Sequence, residues 1–302
     1  MAKKVLIIDE VHPSLAKELR SLGFEVDEQS AIHPNDVSLT NYQGLVLRSK
    51  MPLGAKELAN TSLEFIARAG AGLDLIDLEY CQANQIAVFS ANEGNRDAVA
   101  EHVIGHLITI ARKINTADAE VRSGIWNREG NRGWELQGKT LGIIGYGNMG
   151  QSLAKKLQGF DMNILAYDKY APCTSSMERI FQEADILSLH IPLTDETKEL
   201  VDKSFLAQFA KPIVLINSSR GSICSLDALA QGLSTGKLRG LALDVLPNEK
   251  LSTWSEGEKT LFDQIASHPA TLFSPHVAGW TTESYWKIND ALIDKIKAHY
   301  QL

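Results

Sequence analysis

The segment KTLGIIGYGNMGQSLAKKL, residues 139–157, determines the fold class of this chain. It opens with the apolar β run 140–144, turns on glycines spaced as Gly-x-Gly-x-x-Gly, and continues with the apolar spacing of a helix. A strand, a glycine-rich turn and a helix in this order are the context of a dinucleotide fingerprint. The segment therefore predicts an α/β domain that binds a dinucleotide.

Each glycine of the turn has a separate physical reason. Gly145 allows the tight turn, Gly147 lets the backbone approach a pyrophosphate, and Gly150 lets the helix pack against the strand. The first N–H groups of the helix have no partner within it, and they carry a partial positive charge toward the phosphates. We expect the residues between the glycines to line the same site, namely Tyr146, Asn148 and Met149.

An acidic residue follows the next predicted strand. The apolar run 162–167 ends at Asp168, which lies 23 positions after Gly145. An acid about 20 residues beyond the fingerprint binds the adenosine ribose hydroxyls and repels a 2′-phosphate. Asp168 therefore favours NAD over NADP, and the neighbouring Lys169 weakens that preference slightly.

The length and composition of the chain limit the possible classes of protein. Its 302 residues allow two domains, since one domain commonly takes about 150 residues. Hydrophobic residues make up 44% and charged residues 22%, as in ordinary globular proteins. The net charge of −7 argues against a nucleic-acid surface. No apolar run approaches the roughly 20 residues of a membrane span, so we expect no membrane partner.

The N-terminus and the cysteines indicate the cellular compartment. The apolar run 5–8 is too short for a secretory signal, and Asp9 ends it. Cys81, Cys173 and Cys224 are odd in number and widely spaced. That pattern suits reduced thiols and does not suit a disulfide framework or a zinc site. We therefore expect a cytoplasmic protein without a bound metal.

The remaining pattern of the chain predicts a second domain. Short apolar runs alternate with helical segments over the first 90 or so residues, which indicates a small α/β domain. Residues 95–122 have helical spacing without Gly-Pro punctuation and predict one long connecting helix. Further strands are predicted near residues 140, 162, 186, 213 and 241, and a helix over 282–302. Two α/β units separated by a helix suggest domains that face each other across a cleft.

Polar residues follow several of the predicted strands. Ligands of open α/β sheets bind outside the carboxyl ends of the strands. His190, residues 217–220, Asp244 and His276 occupy such positions. An arginine after a buried strand, Arg220, is well placed to bind a carboxylate, although alone it fits a surface salt bridge equally well. Taken alone, His276 fits a structural histidine, and Glu249 fits a solvated loop carboxylate.

Taken in order, several motifs resemble those of the NAD-dependent D-isomer-specific 2-hydroxyacid dehydrogenases over essentially the whole chain. Within that family, the chain is most similar to the D-3-phosphoglycerate dehydrogenases of serine synthesis. Three departures stand out: Leu75 replaces a usual Asn, Leu246 replaces a common Phe, and Lys250 follows Glu249 in place of Pro. The motifs are GAGLDLID (70–77), NRDAVAEHVIG (95–105), GIIGYGNMG (142–150), LHIPLTDETKELV (189–201), INSSRG (216–221), LDVLPNE (243–249) and SPHVAG (274–279).

The resemblance implies roles for individual residues. His276 matches the catalytic acid/base, Glu249 the acid paired with it, Arg220 the substrate-binding arginine, and Asp244 an acid near the nicotinamide. Other positions are implied to bind the cofactor: His190, Pro192, Thr194, Ser218, Ser219, Arg220, His276 and Gly279. The positions implied to bind the substrate are Arg48, Lys50, Ala71, Gly72, Asn95, Arg220 and His276.

The family also implies an architecture. Residues 1–94 and 282–302 are expected to form a discontinuous, flavodoxin-like substrate domain. A Rossmann NAD-binding domain, residues 95–281, is expected as an insert, and both domains should be doubly wound around parallel sheets. A homodimer built around the nucleotide domains is implied, with Trp126 and Trp134 contributing apolar surface. Because the chain ends soon after the last helix, we expect no C-terminal regulatory domain.

The resemblance implies hydride transfer between NAD and C2 of a D-2-hydroxy acid, with 3-phosphoglycerate and phosphohydroxypyruvate as the expected pair. A glyoxylate or hydroxypyruvate reductase is the alternative within the same chemistry. The formate dehydrogenase branch carries Gln where Glu249 stands, which argues against it. A binding protein of another class, an NAD-sensing corepressor, could retain the same motifs. Turnover in a steady-state assay separates the enzymes from the sensor.

Overall fold

A computed structural model describes residues 2–302 of the chain. The chain divides into two compact units. The first unit comprises Met1–Arg96 and Trp280–Leu302, and the second unit comprises Asp97–Gly279. Each unit contains one sheet in which every strand pair is parallel.

Five strands form the sheet of the first unit, in the order β2-β1-β3-β4-β5. This is the order of flavodoxin-like sheets. The strands are β1 (Lys4–Ile7), β2 (Glu25–Glu28), β3 (Gly44–Leu47), β4 (Phe65–Arg68) and β5 (Ala87–Ser90). Helices of this unit are α1 (Ser14–Ser21), α2 (Ala55–Leu58), α3 (Leu78–Ala83) and the start of α4 (Asn92–Arg112).

Six strands form the sheet of the second unit, in the order β11-β10-β9-β8-β6-β7. Its switch point lies between β6 and β8, since successive strands are added on opposite sides of β6. The strands are β6 (Thr140–Ile144), β7 (Asn163–Tyr167), β8 (Ile186–Leu189), β9 (Ile213–Asn217), β10 (Leu238–Leu243) and β11 (Thr271–Phe273). The helices are α5 (Ile114–Arg122), α6 (Asn148–Lys156), α7 (Met177–Glu183), α8 (Lys203–Ala207), α9 (Leu226–Ser234) and α10 (Glu256–Ala266), and α11 (Thr282–Tyr300) belongs to the first unit.

Both sheets are covered on both faces, which explains their continuous apolar strands. In β9, Ile213 and Leu215 join one apolar core, whereas Val214 and Ile216 join the core on the opposite face. The first unit repeats this arrangement, with Val5 on one side of β1 and Leu6 on the other. Strands buried on both faces cannot show polar alternation, as expected of parallel sheets. The prediction of two parallel-sheet α/β domains is confirmed.

The predicted single helix over 95–122 is wrong. The structure has α4, which already begins at Asn92, and the separate helix α5. Lys113 between them has a φ of 52°, in the left-handed region that ends a helix. Burial gives the physical reason, because α4 packs Val103 and Leu107 into the core whereas α5 has no buried residue. No glycine or proline marks this break in the sequence.

Two edge strands were not predicted from the sequence. β2 carries three acidic residues and buries only Val26, and β11 has three residues. Both gain their hydrogen bonds from a neighbouring strand, β1 and β10 respectively. Within residues 2–302, no helix is both long and apolar enough to cross a membrane.

Candidate active site

The predicted cofactor residues of the second unit lie where its strands end. Gly145 follows β6, Asp168 follows β7, His190 follows β8, Ser218 follows β9 and Asp244 follows β10. The loop with His276 follows β11. Because the strands are parallel, their carboxyl ends share one edge of the sheet. Sequence positions spread over more than 130 residues are thus brought to one edge.

The glycine-rich turn has the geometry that a pyrophosphate site needs. Gly145 has a φ of 93°, and a Cβ atom there would lie 2.3 Å from the carbonyl oxygen of His190. A Cβ on Gly150 would lie 2.2 Å from the carbonyl oxygen of Gly145. Gly147, by contrast, faces open space, and it caps α6 without a side-chain hydrogen bond. The first N–H groups of α6 are therefore accessible to an anion.

Asp168 organises the loops around this turn. Its Oδ2 accepts a hydrogen bond from the Tyr146 N–H at 2.7 Å. Its Oδ1 accepts from the N–H groups of Tyr170 and Ala171 at 2.8 and 3.1 Å. The carboxylate is partly exposed, so its remaining lone pairs can accept ribose hydroxyls. Lys169 forms an ion pair with Glu196 at 2.5 Å, which places a negative group beside the only basic neighbour of Asp168 in sequence.

The loop after β8 contributes a neutral histidine. His190 Nε2 lies 2.9 Å from Ser188 Oγ, and burial lowers the pKa of His190 to about 4. His190 is therefore uncharged at neutral pH. Its carbonyl oxygen occupies the place where a side chain on Gly145 would lie. Pro192 accepts a hydrogen bond from Thr197 through its carbonyl, and Thr194 bonds the same side chain, so both hold this loop in shape.

A buried asparagine shapes the loop that carries Arg220. Asn217 donates through Nδ2 to the carbonyl of Arg220 at 2.9 Å, and its Oδ1 accepts from the Ser219 N–H at 3.0 Å. Ser219 Oγ donates to the Leu189 carbonyl. Gly221 must lack a side chain, since a Cβ there would lie 1.9 Å from the backbone of Leu246. Asn217 and Ser219 thus hold the loop, and the Arg220 guanidinium donates through Nη1 to the Ser219 carbonyl at 2.7 Å.

His276 and Glu249 form a pair. His276 Nδ1 lies 2.9 and 3.1 Å from the two carboxylate oxygens of Glu249. Both side chains are about half exposed. Because Glu249 binds Nδ1, the imidazole presents Nε2 in the opposite direction. His276 has a φ of 54°, a conformation that is uncommon outside glycine.

Asp244 holds the backbone of the loop that carries His276. It is 1% exposed, and its carboxylate accepts from the N–H groups of Val277 and Ala278 at 3.0 and 2.9 Å. Its carbonyl accepts from the His276 N–H at 2.7 Å. Ser274 Oγ donates to Asp244 Oδ1 at 2.5 Å. Both the carboxylate and the carbonyl of Asp244 therefore hold the loop 274–279, while its N–H donates to the Asn217 carbonyl at 3.0 Å.

The predicted substrate residues Arg48 and Lys50 belong to the first unit and differ in their surroundings. The ammonium of Lys50 donates to the carbonyls of Ser30 and Ile32. The guanidinium of Arg48 lies 4.0 Å over the ring of Trp280. Within residues 2–302, Arg48 has no carboxylate partner, whereas Lys50 already has two acceptors.

The backbone of this loop is bound by an aspartate that the sequence did not single out. Asp9 Oδ2 accepts from the N–H groups of Arg48, Ser49 and Lys50 at 2.6, 3.1 and 3.1 Å. Asp9 lies two residues beyond the end of β1, at the switch point of its sheet, and a polar residue at such a position was the sequence signal that could have identified it.

The other predicted residues vary in accessibility. Ala71 and Gly72 follow β4 and are partly exposed. Asn95 lies in the first turn of α4, and Gly279 ends the second unit. Among residues 2–302, two buried side-chain oxygens of predicted site residues have no hydrogen-bond partner, Asn95 Oδ1 and Ser218 Oγ.

These residues fit a dinucleotide and do not form a metal site. The open space at Gly147, the uncapped start of α6 and the unpartnered Ser218 hydroxyl are the features that NAD would fill. Within the described chain, residues 2–302, no group of three His, Cys, Asp or Glu side chains is arranged to hold a metal ion.

Comparison with known proteins identifies the family. The family model described as D-isomer specific 2-hydroxyacid dehydrogenase, NAD binding domain, matches residues 104–278. That range is more than half of the chain, so the chain belongs to the D-isomer-specific 2-hydroxyacid dehydrogenases, as its motifs predicted. NAD is the cofactor of the matched domain.

Relatives in this family carry different names. D-3-phosphoglycerate dehydrogenase 2 of Saccharomyces cerevisiae is 30% identical over 93% of this chain and 63% of its own length. Hydroxypyruvate reductase of Thermotoga maritima is 32% identical over 92% of this chain and 90% of its own length. The solved TT0316 protein of Thermus thermophilus is 26% identical, with a TM-score of 0.82 over 99% of this chain and 97% of that one. The chain thus spans less than two thirds of the yeast relative.

Proposed function

We propose that this chain catalyses reversible hydride transfer between NAD and C2 of a D-2-hydroxy acid. The observation that carries the proposal is the contact of His276 Nδ1 with both carboxylate oxygens of Glu249, at 2.9 and 3.1 Å. It occurs in a chain of a dehydrogenase family, on loops that follow the last two strands of the sheet. An imidazole oriented by a carboxylate is the arrangement of a general acid and base.

His276 moves the hydroxyl proton in this proposal. Glu249 fixes the ring through Nδ1. Nε2 is then the atom that takes the proton from the substrate hydroxyl during oxidation and returns it during reduction. The nicotinamide, when bound, supplies and accepts the hydride.

Arg220 binds the carboxylate or polarises the 2-oxo group. A guanidinium suits both tasks, because it presents several donors in one plane. The loop that fixes it is built on Asn217. Ala71, Gly72 and Asn95 are proposed to hold the substrate carboxylate from the first unit. The donor to that carboxylate would be the Nδ2 group of Asn95, since an amide oxygen and a carboxylate can both only accept.

We propose 3-phosphoglycerate and phosphohydroxypyruvate, the pair of serine synthesis, as the substrates. The name of the yeast relative supports this proposal, and so does Arg48, which has no carboxylate partner within residues 2–302. Hydroxypyruvate or glyoxylate is a second candidate. The observation that favours it is Lys50, whose ammonium is already bound to two carbonyl oxygens, and the Thermotoga relative is named for hydroxypyruvate.

A panel of 2-oxo acids with NADH tests the function and the substrate together. We expect turnover of phosphohydroxypyruvate with the highest kcat/KM. Better turnover of hydroxypyruvate would overturn the phosphate proposal and support the second candidate. NADH binding without turnover of any acid in the panel would instead support a cofactor-sensing protein. In the active case, His276→Ala should lower kcat roughly 10²–10⁴-fold, as expected for loss of a general acid and base.

Substitutions of Arg48 and Lys50 test whether either side chain binds the substrate phosphate. Arg48→Gln should lower kcat/KM for phosphohydroxypyruvate about tenfold and hardly alter hydroxypyruvate, since a charge-assisted contact contributes roughly 1.5–3 kcal/mol. Lys50→Gln is the matched control, because its ammonium holds Ser30 and Ile32. It should affect both substrates equally. A selective loss at Lys50 would show that its ammonium serves the phosphate after all.

We propose that the protein is a homodimer. Apolar side chains are exposed on α5 and in the loop after it, with Trp126 80% exposed and Val121 and Ile125 about half exposed. Trp134 contributes less than predicted, because it is partly buried against the core and under Arg239. Light scattering at micromolar concentration should give twice the chain mass, and a monomer would contradict the proposal.

A cytoplasmic location remains a proposal that rests on the cysteines. All three are free, with Cys81 and Cys224 buried and Cys173 exposed. Free thiols suit a reducing compartment. Cell fractionation with an antibody to the protein tests it, and recovery from an oxidising compartment would contradict it.

A further inference from the structure

The loop that carries His276 depends on one buried carboxylate. His276 is held with a φ of 54°, and Asp244 binds the N–H groups of three successive loop residues, 276–278. A non-glycine residue in this region needs support from its surroundings. The position of the imidazole therefore depends on how firmly Asp244 is itself fixed.

Ser274 connects Asp244 to helix α4. Its hydroxyl lies 2.5 Å from Asp244 Oδ1 and 2.8 Å from His102 Nε2. A hydroxyl has a single proton, and Asp244, as a carboxylate, can only accept it. Ser274 Oγ must then accept from His102, so His102 Nε2 carries a hydrogen. The same nitrogen lies 3.5 Å from Asp244 Oδ1, which adds a direct attraction.

The second histidine of the helix has a different character. His106 is buried, and its Nε2 lies 3.3 Å from Ser274 Oγ. Burial and the neighbouring His102 lower the pKa of His106 to about 4, against the opposing effect of Asp244. Its ring packs on His102 with centroids 4.2 Å apart. His106 is thus neutral and makes the longer contact to Ser274 Oγ, at 3.3 Å, whereas His102 makes the shorter one, at 2.8 Å.

We infer that His102 is a positioning residue for His276, acting through Ser274 and Asp244. This inference rests on the proposed function of His276 as the acid and base. α4 is fixed by Val99 and Val103, which are buried in the core of the second unit. His102 holds the loop 274–279 against α4 by donating a hydrogen bond to Ser274 Oγ. This role requires neither a charge on the imidazole nor its volume.

Two substitutions separate donation from packing. His102→Gln keeps an N–H donor near the place of Nε2, and His102→Leu removes the donor at similar volume. We expect His102→Leu to lower kcat for the preferred 2-oxo acid about tenfold, the effect of losing one such hydrogen bond. Its KM for NADH should stay within about twofold of the unchanged protein, and His102→Gln should recover kcat to within about threefold.

Other outcomes overturn the inference. Equal losses in the Leu and Gln variants would mean that the imidazole is needed for something other than donation. Normal kcat in the Leu variant would mean that His102 has no positioning role. His268→Gln is the control for a histidine change in the same unit, because His268 follows α10 and its ring accepts a hydrogen bond from the Ala270 N–H at 3.2 Å.

A measurement on the unchanged protein keeps the test independent of folding and of activity. Nitrogen-15 NMR of labelled histidine, assigned by the signal missing in His102→Gln, reports which ring nitrogen is protonated. We expect a protonated Nε2 at His102 at neutral pH. An unprotonated Nε2 would overturn the inference even if turnover is normal. Absence of turnover on the whole panel would overturn the proposed function. The NMR result would then still show whether His102 donates to Ser274.

Discussion

The two sheets of this chain share the strand order 2-1-3-4-5, to which the second sheet adds a sixth strand, yet the loops after their first strands differ in chemistry. In the second unit, the loop after β6 is a glycine-rich turn that leaves the N-terminus of α6 uncapped. In the first unit, Asp9 stands beyond β1 and binds three backbone N–H groups of the loop after β3. The switch point of the second unit thus offers free N–H groups to an external anion. At the switch point of the first unit, the Asp9 carboxylate already binds the N–H groups.

The difference shows that topology brings loops together without determining what binds there. Both switch points bring the ends of several strands to one edge. Glycine at positions 145, 147 and 150 removes side chains that would fill the space. An aspartate at the corresponding place fills it with a carboxylate from the chain itself. We therefore expect the residues of these loops to decide what binds there, and four substitutions test that expectation.

The largest effect is expected at Gly145. An alanine there would place Cβ 2.3 Å from the His190 carbonyl oxygen at a φ of 93°. We expect Gly145→Ala to weaken NADH binding at least roughly 100-fold, equivalent to about 3 kcal/mol. Gly23→Ala is the control, because Gly23 has a φ of 90° with no atom within 4 Å of its added Cβ. That change should cost about 1 kcal/mol of stability and leave NADH binding unaltered. Fluorescence titration with NADH measures both variants.

A second effect concerns the carboxylate of the first unit. Asp9→Ala leaves three N–H groups of the loop 48–50 without their acceptor. We expect a loss of roughly 1–3 kcal/mol in the free energy of unfolding, with NADH affinity unchanged. Urea denaturation measures the loss. Asp290→Ala, at an exposed position of α11, is the control and should stay within about 0.5 kcal/mol. A normal unfolding midpoint for Asp9→Ala would show that water replaces the carboxylate without cost.

A third effect concerns the acid at the end of β7. Asp168→Ala removes the acceptor of the Tyr146 N–H within the turn and the proposed partner of the ribose hydroxyls. We expect NADH to bind about tenfold more weakly and its advantage over NADPH to narrow, since one such charged contact contributes roughly 1.5–3 kcal/mol. Competitive titration of the two cofactors measures this. Better use of NADPH by the unchanged protein would make the assignment of Asp168 wrong.

The smallest effect is expected at Glu196. Its ion pair with Lys169 is exposed on both sides, so its strength is limited. Glu196→Gln frees the ammonium beside Asp168 and should improve NADPH use roughly two- to fivefold, within the range of surface pairs. NADH use should not change. Glu183→Gln, which breaks the exposed pair with Arg179, is the control. Equal changes of NADPH use in the Glu196 and Glu183 variants would mean that Lys169 does not influence the choice of cofactor.

Local rules were sufficient where function requires a residue type at fixed spacing. The glycine turn, Asp168 and the residues after β8, β9 and β10 could be located because these strands are largely apolar and each is followed by glycine or a polar residue. The break at Lys113 could not be located, because a lysine in the left-handed region leaves no mark in the sequence. β2 and β11 were missed because edge strands gain their stability from a neighbour and not from their own composition.

The sequence alone determined the fold class, the dinucleotide fingerprint and the family, since these depend on periodicity, glycine spacing and motif order. The tertiary structure decided which polar groups are already satisfied. It paired Lys50 with carbonyl oxygens, placed Asp9 under the loop 48–50 and joined His102 to Ser274. Such contacts span tens to more than a hundred residues of sequence, and their hydrogen bonds depend on atomic positions. No spacing rule encodes those positions, because they exist only after the sheets and helices have packed.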